Sequence, residues 1–199
     1  MASDVEIVNI GLTLLGENRI ASLDDDVKPA REAKAIFEFT RDALLGEYNW
    51  NFAKARTQLS ALVDVPPFGF SLKYEFPADC LRLIMVGDYY AGIDLSDYRG
   101  RPTELFTIEG RNILTDMSAP LNLQYIKRVT DPTKFDPPFV KSFGCQLAVD
   151  LAEALTQSDT KRDRAEKALA KQISLAMRAN AIQLPPQKLA DDEWLLSRL

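Results

Sequence analysis

Histidine is absent from this chain of 199 residues, and cysteine occurs only twice. Without histidine the chain lacks the commonest general base, the commonest metal ligand and every catalytic pair in which histidine activates serine or cysteine. Cys80 and Cys145 lie far apart in sequence and within apolar runs, whereas metal-binding or redox-active cysteines usually lie close together. We therefore predict two buried free thiols and folding in a reducing cytoplasm.

Long apolar runs, clustered glycines and a basic net charge are also missing. No apolar run approaches the roughly 18 residues that span a bilayer, and the first residues lack the pattern of a signal peptide, so we expect a soluble protein without a membrane partner. The nine glycines are scattered, and no phosphate-binding loop is recognisable. The net charge of -5 and the pI near 4.9 argue against a DNA-binding role.

Helical periodicity opens the sequence. Ser3 and Glu6 form a capping-box pattern, and Gly16 stands where this first helix should end. Pro29 suits the first turn of a second helix of about 20 residues. The predicted apolar stripe of this helix comprises Ala33, Ile36, Phe37, Thr40, Leu44 and Tyr48. Arg41 is predicted to lie on another side of the helix, away from this stripe.

Helical periodicity returns near the end of the chain. Asp136 followed by two prolines predicts the start of a third helix, and Ser158 with Asp159 predicts the start of a fourth, which should end before Pro185. The predicted apolar side of the third helix comprises Phe139, Phe143, Leu147, Leu151 and Leu155. That of the fourth comprises Ala165, Leu169, Ile173, Ala176 and Leu184.

Short β-like runs separated by turn residues fill the middle of the chain and predict four to six strands. Residues 70–76 alternate with a period of two, as a half-buried strand should. Residues 87–102 should form a long exposed excursion. The remaining predicted strands are residues 58–63, residues 81–86, a hairpin over residues 105–115, and residues 121–129.

The order of these elements predicts an α+β fold, in which a β-rich domain is inserted between two helix pairs. Residues 1–55 and 132–184 would form a four-helix body, and residues 56–131 would form the inserted antiparallel domain. Residues 185–199 would be a C-terminal tail beyond the helical body.

Few residues offer chemistry. The aspartates 24–26, and Asp191, Asp192 and Glu193, could ligate a hard cation, but no calcium-loop pattern extends from either group, so solvated loops are the favoured interpretation. Trp50 and Phe52 could stack on bases, although a hinge between helices and sheet suits their position better. We assign no catalytic, cofactor-binding or metal-binding residue.

The C-terminal tail combines apolar side chains with many charges. The free energy gained by burying these side chains is smaller than the cost of ordering the whole tail. We hypothesise that the tail docks on a neighbouring subunit or partner; a short helix that caps the chain's own core is the alternative. The candidate interface residues are Trp194, Leu195, Leu196 and Leu199 in the tail, and Tyr89, Tyr90 and Tyr98 in the excursion.

Several motifs resemble a known family in their residues and order. Residues 9–16 (NIGLTLLG) and 20–25 (IASLDD) are similar to the start of the podovirus tail tubular protein A family of head–tail adaptors. Further similarity covers residues 41–45 (RDALL), 48–53 (YNWNFA), 74–82 (YEFPADCLR) and 123–126 (LQYI), followed by Asp131, Phe135, Asp136 and Phe139. The resemblance extends over about residues 5–180.

This resemblance implies a structural role without catalysis or cofactor. Family members form a ring, typically dodecameric, between the portal of the filled head and a tail nozzle formed by tail tubular protein B. DNA passes through the lumen, and an acidic chain suits a conduit that should not bind DNA. The resemblance therefore implies a virion protein at the head–tail interface that is assembled in the host cytoplasm.

Other functions remain alternatives. A related connector of a long-tailed phage would meet a different tail partner. A small hydrolase with a divalent metal would need carboxylates that converge in a pocket, and a DNA-binding accessory factor would show steeply salt-dependent binding.

Overall fold

Four helices and seven short strands form the part of the chain that the computed structural model describes, which is residues 2–87, 89–91 and 105–183. The helices are α1 (Asp4–Leu15), α2 (Lys28–Glu47), α3 (Pro137–Thr156) and α4 (Asp159–Ile182). The strands are β1 (Lys54–Leu59), β2 (Leu72–Glu75), β3 (Cys80–Val86), β4 (Tyr89–Tyr90), β5 (Phe106–Glu109), β6 (Asn112–Thr115) and β7 (Leu121–Lys127).

The predicted helix starts are confirmed. At α1 the Glu6 backbone N–H donates to the Ser3 hydroxyl at 3.2 Å, and the Ser3 N–H donates to the Glu6 carboxylate at 2.9 Å, which completes the capping box. Gly16 ends the helix in a left-handed conformation with φ 72°. Pro29 and Pro137 occupy the first turns of α2 and α3, where proline removes no helical hydrogen bond.

Helix α3 lies at the centre of the helical body, since α1, α2 and α4 all pack against it. Of its predicted apolar side, Phe139, Phe143, Leu147 and Leu151 are buried and Leu155 is partly buried. Helix α4 is packed much less completely: only Ala165 and Ala176 of its residues are buried. The predicted apolar side of α4 is nevertheless confirmed for its described residues, because Leu169 and Ile173 are partly buried; Leu184 lies outside the described residues.

The prediction for Arg41 is wrong. Its side chain lies inside the body with only 5% of the residue exposed. The guanidinium is neutralised locally, since its Nη2 lies 2.9 Å from the carboxylate of Asp42. A buried arginine that is paired in this way cannot be recognised from helical periodicity alone.

The strands form two antiparallel sheets. The first has the order β1-β7-β3-β4 and the second the order β2-β6-β5. The predicted strand at residues 58–63 is misplaced: β1 spans Lys54–Leu59, because its pairing with β7 begins directly after the 3-10 turn Asn51–Ala53. The predicted hairpin is confirmed as β5 and β6, and Gly110 turns between them with φ 61°.

The first sheet lies between two hydrophobic clusters. Ile84 and Ile126 belong to the cluster of the helical body, whereas Leu83 and Tyr125 belong to a second cluster shared with the second sheet. Successive residues of a strand point to opposite faces, so β3 and β7 contribute to both clusters. The α+β fold, with the strands inserted between two helix pairs, is confirmed.

Candidate interaction surfaces

Most of the predicted interface residues fall outside the described residues. These are Trp194, Leu195, Leu196, Leu199 and Tyr98. The carboxylates Asp191, Asp192 and Glu193, which were considered as possible cation ligands, also lie outside the described residues. Tyr89 is partly buried in β4 and pairs with Val86 of β3, and the backbone of Tyr90 pairs with Met85. Of the predicted interface residues, the described part of the chain contains only Tyr89 and the backbone of Tyr90, which are adjacent in sequence.

Trp50 and Phe52 form the junction between the helical body and the first sheet. The Trp50 indole N–H donates to the Leu44 carbonyl oxygen at 2.9 Å, and its buried ring lies 4.9 Å, centroid to centroid, from Phe139. Phe52 packs on the same ring of Phe139 at 5.1 Å. Because the Trp50 ring is enclosed by its neighbours, it cannot stack on a base, and its predicted position between the helical body and the sheet is confirmed.

Asparagine side chains hold the end of α4 against this junction. The Asn51 N–H donates to the Asn180 side-chain oxygen at 2.8 Å, and the Asn51 side-chain amide donates to the Asn180 carbonyl oxygen at 2.7 Å. The Asn180 side chain in turn donates to the Asn49 carbonyl oxygen at 2.8 Å. These bonds fix the place from which the chain continues towards its C-terminal tail.

Asp42 links the helical body to the sheet by charge. One carboxylate oxygen accepts from Arg41, and the other lies 2.6 Å from Nε of Arg128, which directly follows β7. The carboxylate thus joins α2 to the end of the central strand. The junction between the helical body and the inserted strands is therefore held by apolar packing, by hydrogen bonds of asparagine side chains and by the shared carboxylate of Asp42.

Exposed apolar residues lie on the loop between β1 and β2 and on β5, and we call them the apolar tip: Val63, Val65, Phe68 and Ile108. Val63 is 99% exposed and Phe68 is 85% exposed. The loop that carries them is anchored: the Leu62 N–H donates to the Lys73 carbonyl oxygen at 2.8 Å, and Asp116 accepts two hydrogen bonds from Ser71. Because both ends of the loop are held, its apolar side chains remain in solvent.

The outer side of α2 carries a second exposed apolar group. Phe39 is 80% exposed and lies opposite the buried stripe of the helix. Sequence reasoning missed it, although a large apolar residue on the polar side of an amphipathic helix can be identified from helical periodicity. We call this side of α2, defined by Phe39, Glu32 and Glu38, the Phe39 face.

A groove runs along α4 in two adjoining parts that share Lys141 and Gln172. One part lies between α4 and the start of α3 and is mostly apolar; the other lies between α4 and α1 and carries cations. We call the two parts together the α4 groove. It is lined by Phe135, Pro138, Val140, Leu175 and Ala176 in the first part, and by Leu14, Lys161 and Arg164 in the second.

The three aspartates at residues 24–26 have separate partners. Asp24 pairs with Lys34 and Asp26 with Arg31, while Asp25 accepts the backbone N–H groups of Ala21 and Ser22. The predicted solvated loop before α2 is confirmed, because Asp24 and Asp26 are exposed and pair with residues of α2, while Asp25 accepts hydrogen bonds from within the loop. Among the described residues, no group of three or more carboxylate, cysteine or histidine side chains could hold a metal ion.

Both cysteines are buried free thiols, as predicted. Burial raises the pKa of the Cys80 thiol to about 11 and also raises the pKa of the Cys145 thiol. A raised pKa keeps a thiol protonated and poorly nucleophilic at neutral pH. These groups therefore contribute to packing, not to a reactive centre.

A polar depression also lies on the first sheet. Arg56, Gln58, Asn122 and Gln124 line it and offer hydrogen-bond donors and acceptors without a carboxylate.

Within the described parts of the chain, no helix combines the length and apolarity required to cross a membrane.

Comparison with known proteins identifies no family model that matches the chain, and the curated proteins contain no match to it.

Proposed function

We propose that this protein is the structural head-to-tail adaptor of a short-tailed bacteriophage. Copies of the chain would form a ring, dodecameric by the resemblance, between the portal protein and the tail nozzle protein. DNA would pass through the lumen of the ring without specific binding. The protein would have no catalytic step and would reside in the virion.

The observation that carries this proposal is the order of the motifs that resemble the tail tubular protein A family. Several of them fall on residues with a structural task in this chain. Trp50 and Phe52 join the helical body to the sheet, and Asp42 links α2 to the end of β7. Residues that maintain the relative position of two parts suit a protein whose function is to be a rigid component of an assembly.

Exposed apolar groups on separate elements give independent support. The apolar tip belongs to the second sheet, whereas Phe39 and the α4 groove belong to the helical body. Exposed apolar patches usually mark interaction sites. A ring subunit between two protein partners needs lateral contacts with its neighbours and axial contacts above and below. We assign the apolar tip to the nozzle side.

Virion analysis tests the proposal. The protein should be present in purified particles in a copy number consistent with a ring. Loss of its gene should yield DNA-filled heads that lack tails, while portal incorporation remains normal. A protein that acts only in the host cell would be absent from the purified particle. Cross-linking in the particle should recover the portal and the nozzle protein; recovery of a long-tail terminator would identify the long-tailed alternative.

DNA binding offers a second test of the same proposal. The purified chain should show no salt-dependent affinity for duplex DNA, because its net charge of -5 repels phosphates. Binding that weakens steeply as salt rises would instead favour a DNA-binding accessory factor.

A further inference from the structure

We infer that the Phe39 face of one copy docks in the α4 groove of a second copy. This inference rests on the proposed ring and names the two surfaces that would form its lateral contact.

The Phe39 face has an apolar centre and an acidic surround. Phe39 is 80% exposed, and Ala35 and Ala43, one turn away on either side, are also exposed. Glu32 and Glu38 have no ion-pair partner among the described residues. The basic residues Arg31 and Lys34 of the same helix are already paired with the loop before α2. The face therefore presents one large apolar side chain within a net negative field.

The α4 groove has the opposite character. Leu175 and Val140 provide apolar walls, and Lys141 lies where the two parts of the groove meet. Helix α4 carries six basic and three acidic residues within a chain whose net charge is -5. Lys141 and Arg164 line the groove, are exposed and form no ion pair within the described parts of the chain. An apolar side chain with flanking carboxylates suits the apolar walls and the basic charge of this groove.

The two surfaces lie on different elements, which decides the kind of contact. Both α2 and α4 pack on α3; the Phe39 face is the outer side of α2, whereas the α4 groove lies where α4 meets α3 and α1. A face that binds a different surface of an identical copy makes a heterologous contact, and repetition of that contact closes a ring or extends a filament. A second copy of this chain is therefore the occupant that supplies the complementary charge and also continues the assembly.

Self-association of the purified full chain tests the contact. Phe39→Glu should raise the dissociation constant at least roughly tenfold, since a buried aromatic anchor commonly dominates an interface. Phe68→Glu is the matched control, because Phe68 is equally exposed but lies on the apolar tip. It should leave self-association unchanged. Sedimentation velocity over a range of concentrations measures both, and circular dichroism verifies that each variant is folded.

Charge reversal on both surfaces tests the contact by rescue. Self-association would recover if the charges pair across the contact, and it would not recover if the variants were only less stable. Glu32→Lys with Glu38→Lys should weaken self-association, and Lys141→Glu with Arg164→Glu, which reverses two cations of the groove, should weaken it equally. A mixture of the two double variants should associate again, because the reversed face of one variant then meets the reversed groove of the other, and the native face of the second meets the native groove of the first.

Cross-linking locates the contact directly. A chain with Phe39→Cys and Leu175→Cys should form a ladder of covalent oligomers with a short bifunctional maleimide, whereas Phe68→Cys with Leu175→Cys should not. The buried native thiols should not interfere. The inference is overturned if Phe39→Glu associates as tightly as the wild-type chain. It is also overturned if the chain neither associates nor cross-links at any concentration. The proposed function fails separately, if the protein is absent from purified particles.

Discussion

The backbones of α1 and α3 meet at Gly11 and Gly144. A Cβ atom on Gly11 would lie 2.8 Å from the carbonyl oxygen of Gly144, and a Cβ atom on Gly144 would lie 2.6 Å from Cγ2 of Ile10. Both distances are shorter than a Cβ atom tolerates. Glycine at these two positions is therefore what allows the first helix to lie directly on the central helix.

Gly144→Ala should destabilise the fold. The added methyl group would push α1 away from α3, and overpacking of this kind costs about 1 to 3 kcal/mol. Urea denaturation should show a lower midpoint with an unchanged slope. Gly46→Ala is the matched control, because nothing lies within 4 Å of its Cβ position in α2. It should be neutral or stabilising by up to about 1 kcal/mol; equal effects of the two variants would contradict the close helix contact.

Asp42→Asn should destabilise the protein more than any change to an exposed ion pair. It removes the negative charge that neutralises buried Arg41 and also weakens the link to Arg128. We expect a loss of about 2 to 4 kcal/mol, somewhat below the range for fully buried pairs because Asp42 keeps some contact with solvent.

The control for this prediction is Asp26→Asn. Its partner Arg31 is exposed, and exposed pairs contribute little to stability. Chemical denaturation of both variants decides the matter. A similarly small loss in the free energy of unfolding for both variants would mean that buried Arg41 does not need Asp42 to neutralise its charge.

The thiols should be unreactive in the native protein. Burial raises the pKa of Cys80 from 9.0 to about 11, so the thiolate fraction at pH 8 is very small. A thiol reagent should label both cysteines only after unfolding. Because the unfolded thiol ionises at a lower pH than the folded one, the contribution of Cys80 to stability is complete below pH 9 and is lost as the pH rises towards 11. Cys80→Ala should reduce this alkaline loss of stability; a native thiol that is labelled rapidly at pH 8 would contradict the prediction.

Removal of residues 185–199 should abolish attachment to the portal while the helical body remains folded. The apolar residues Trp194, Leu195, Leu196 and Leu199 cannot offset the ordering of this segment on their own, so we expect them to dock on a partner. Co-sedimentation with portal rings measures attachment, and thermal unfolding shows whether the shortened chain is intact. Attachment that is unchanged would refute the docking hypothesis, and protection of the tail from protease in the free monomer would favour its alternative as a cap on the chain's own core.

Local signals in the sequence predicted a large part of the fold. The capping box at Ser3 and the prolines at the starts of α2 and α3 act through neighbouring backbone groups, so the helix starts could be identified without the rest of the chain. The hairpin with Gly110 is equally local. The helical periodicity of α2 also marks Phe39 as an apolar residue on the polar side, whereas the apolar tip can be recognised only once the buried faces are known.

By itself, then, the sequence determined the α+β class, the order of the elements and the ends of most helices, because each depends on interactions within a few residues. Only the tertiary structure decided that Arg41 is buried beside Asp42, that Gly11 meets Gly144, and that β7 lies between β1 and β3. Packing, charge neutralisation and strand pairing depend on residues that are distant along the chain. No local pattern specifies such partners, and the α4 groove arises only where three helices come together.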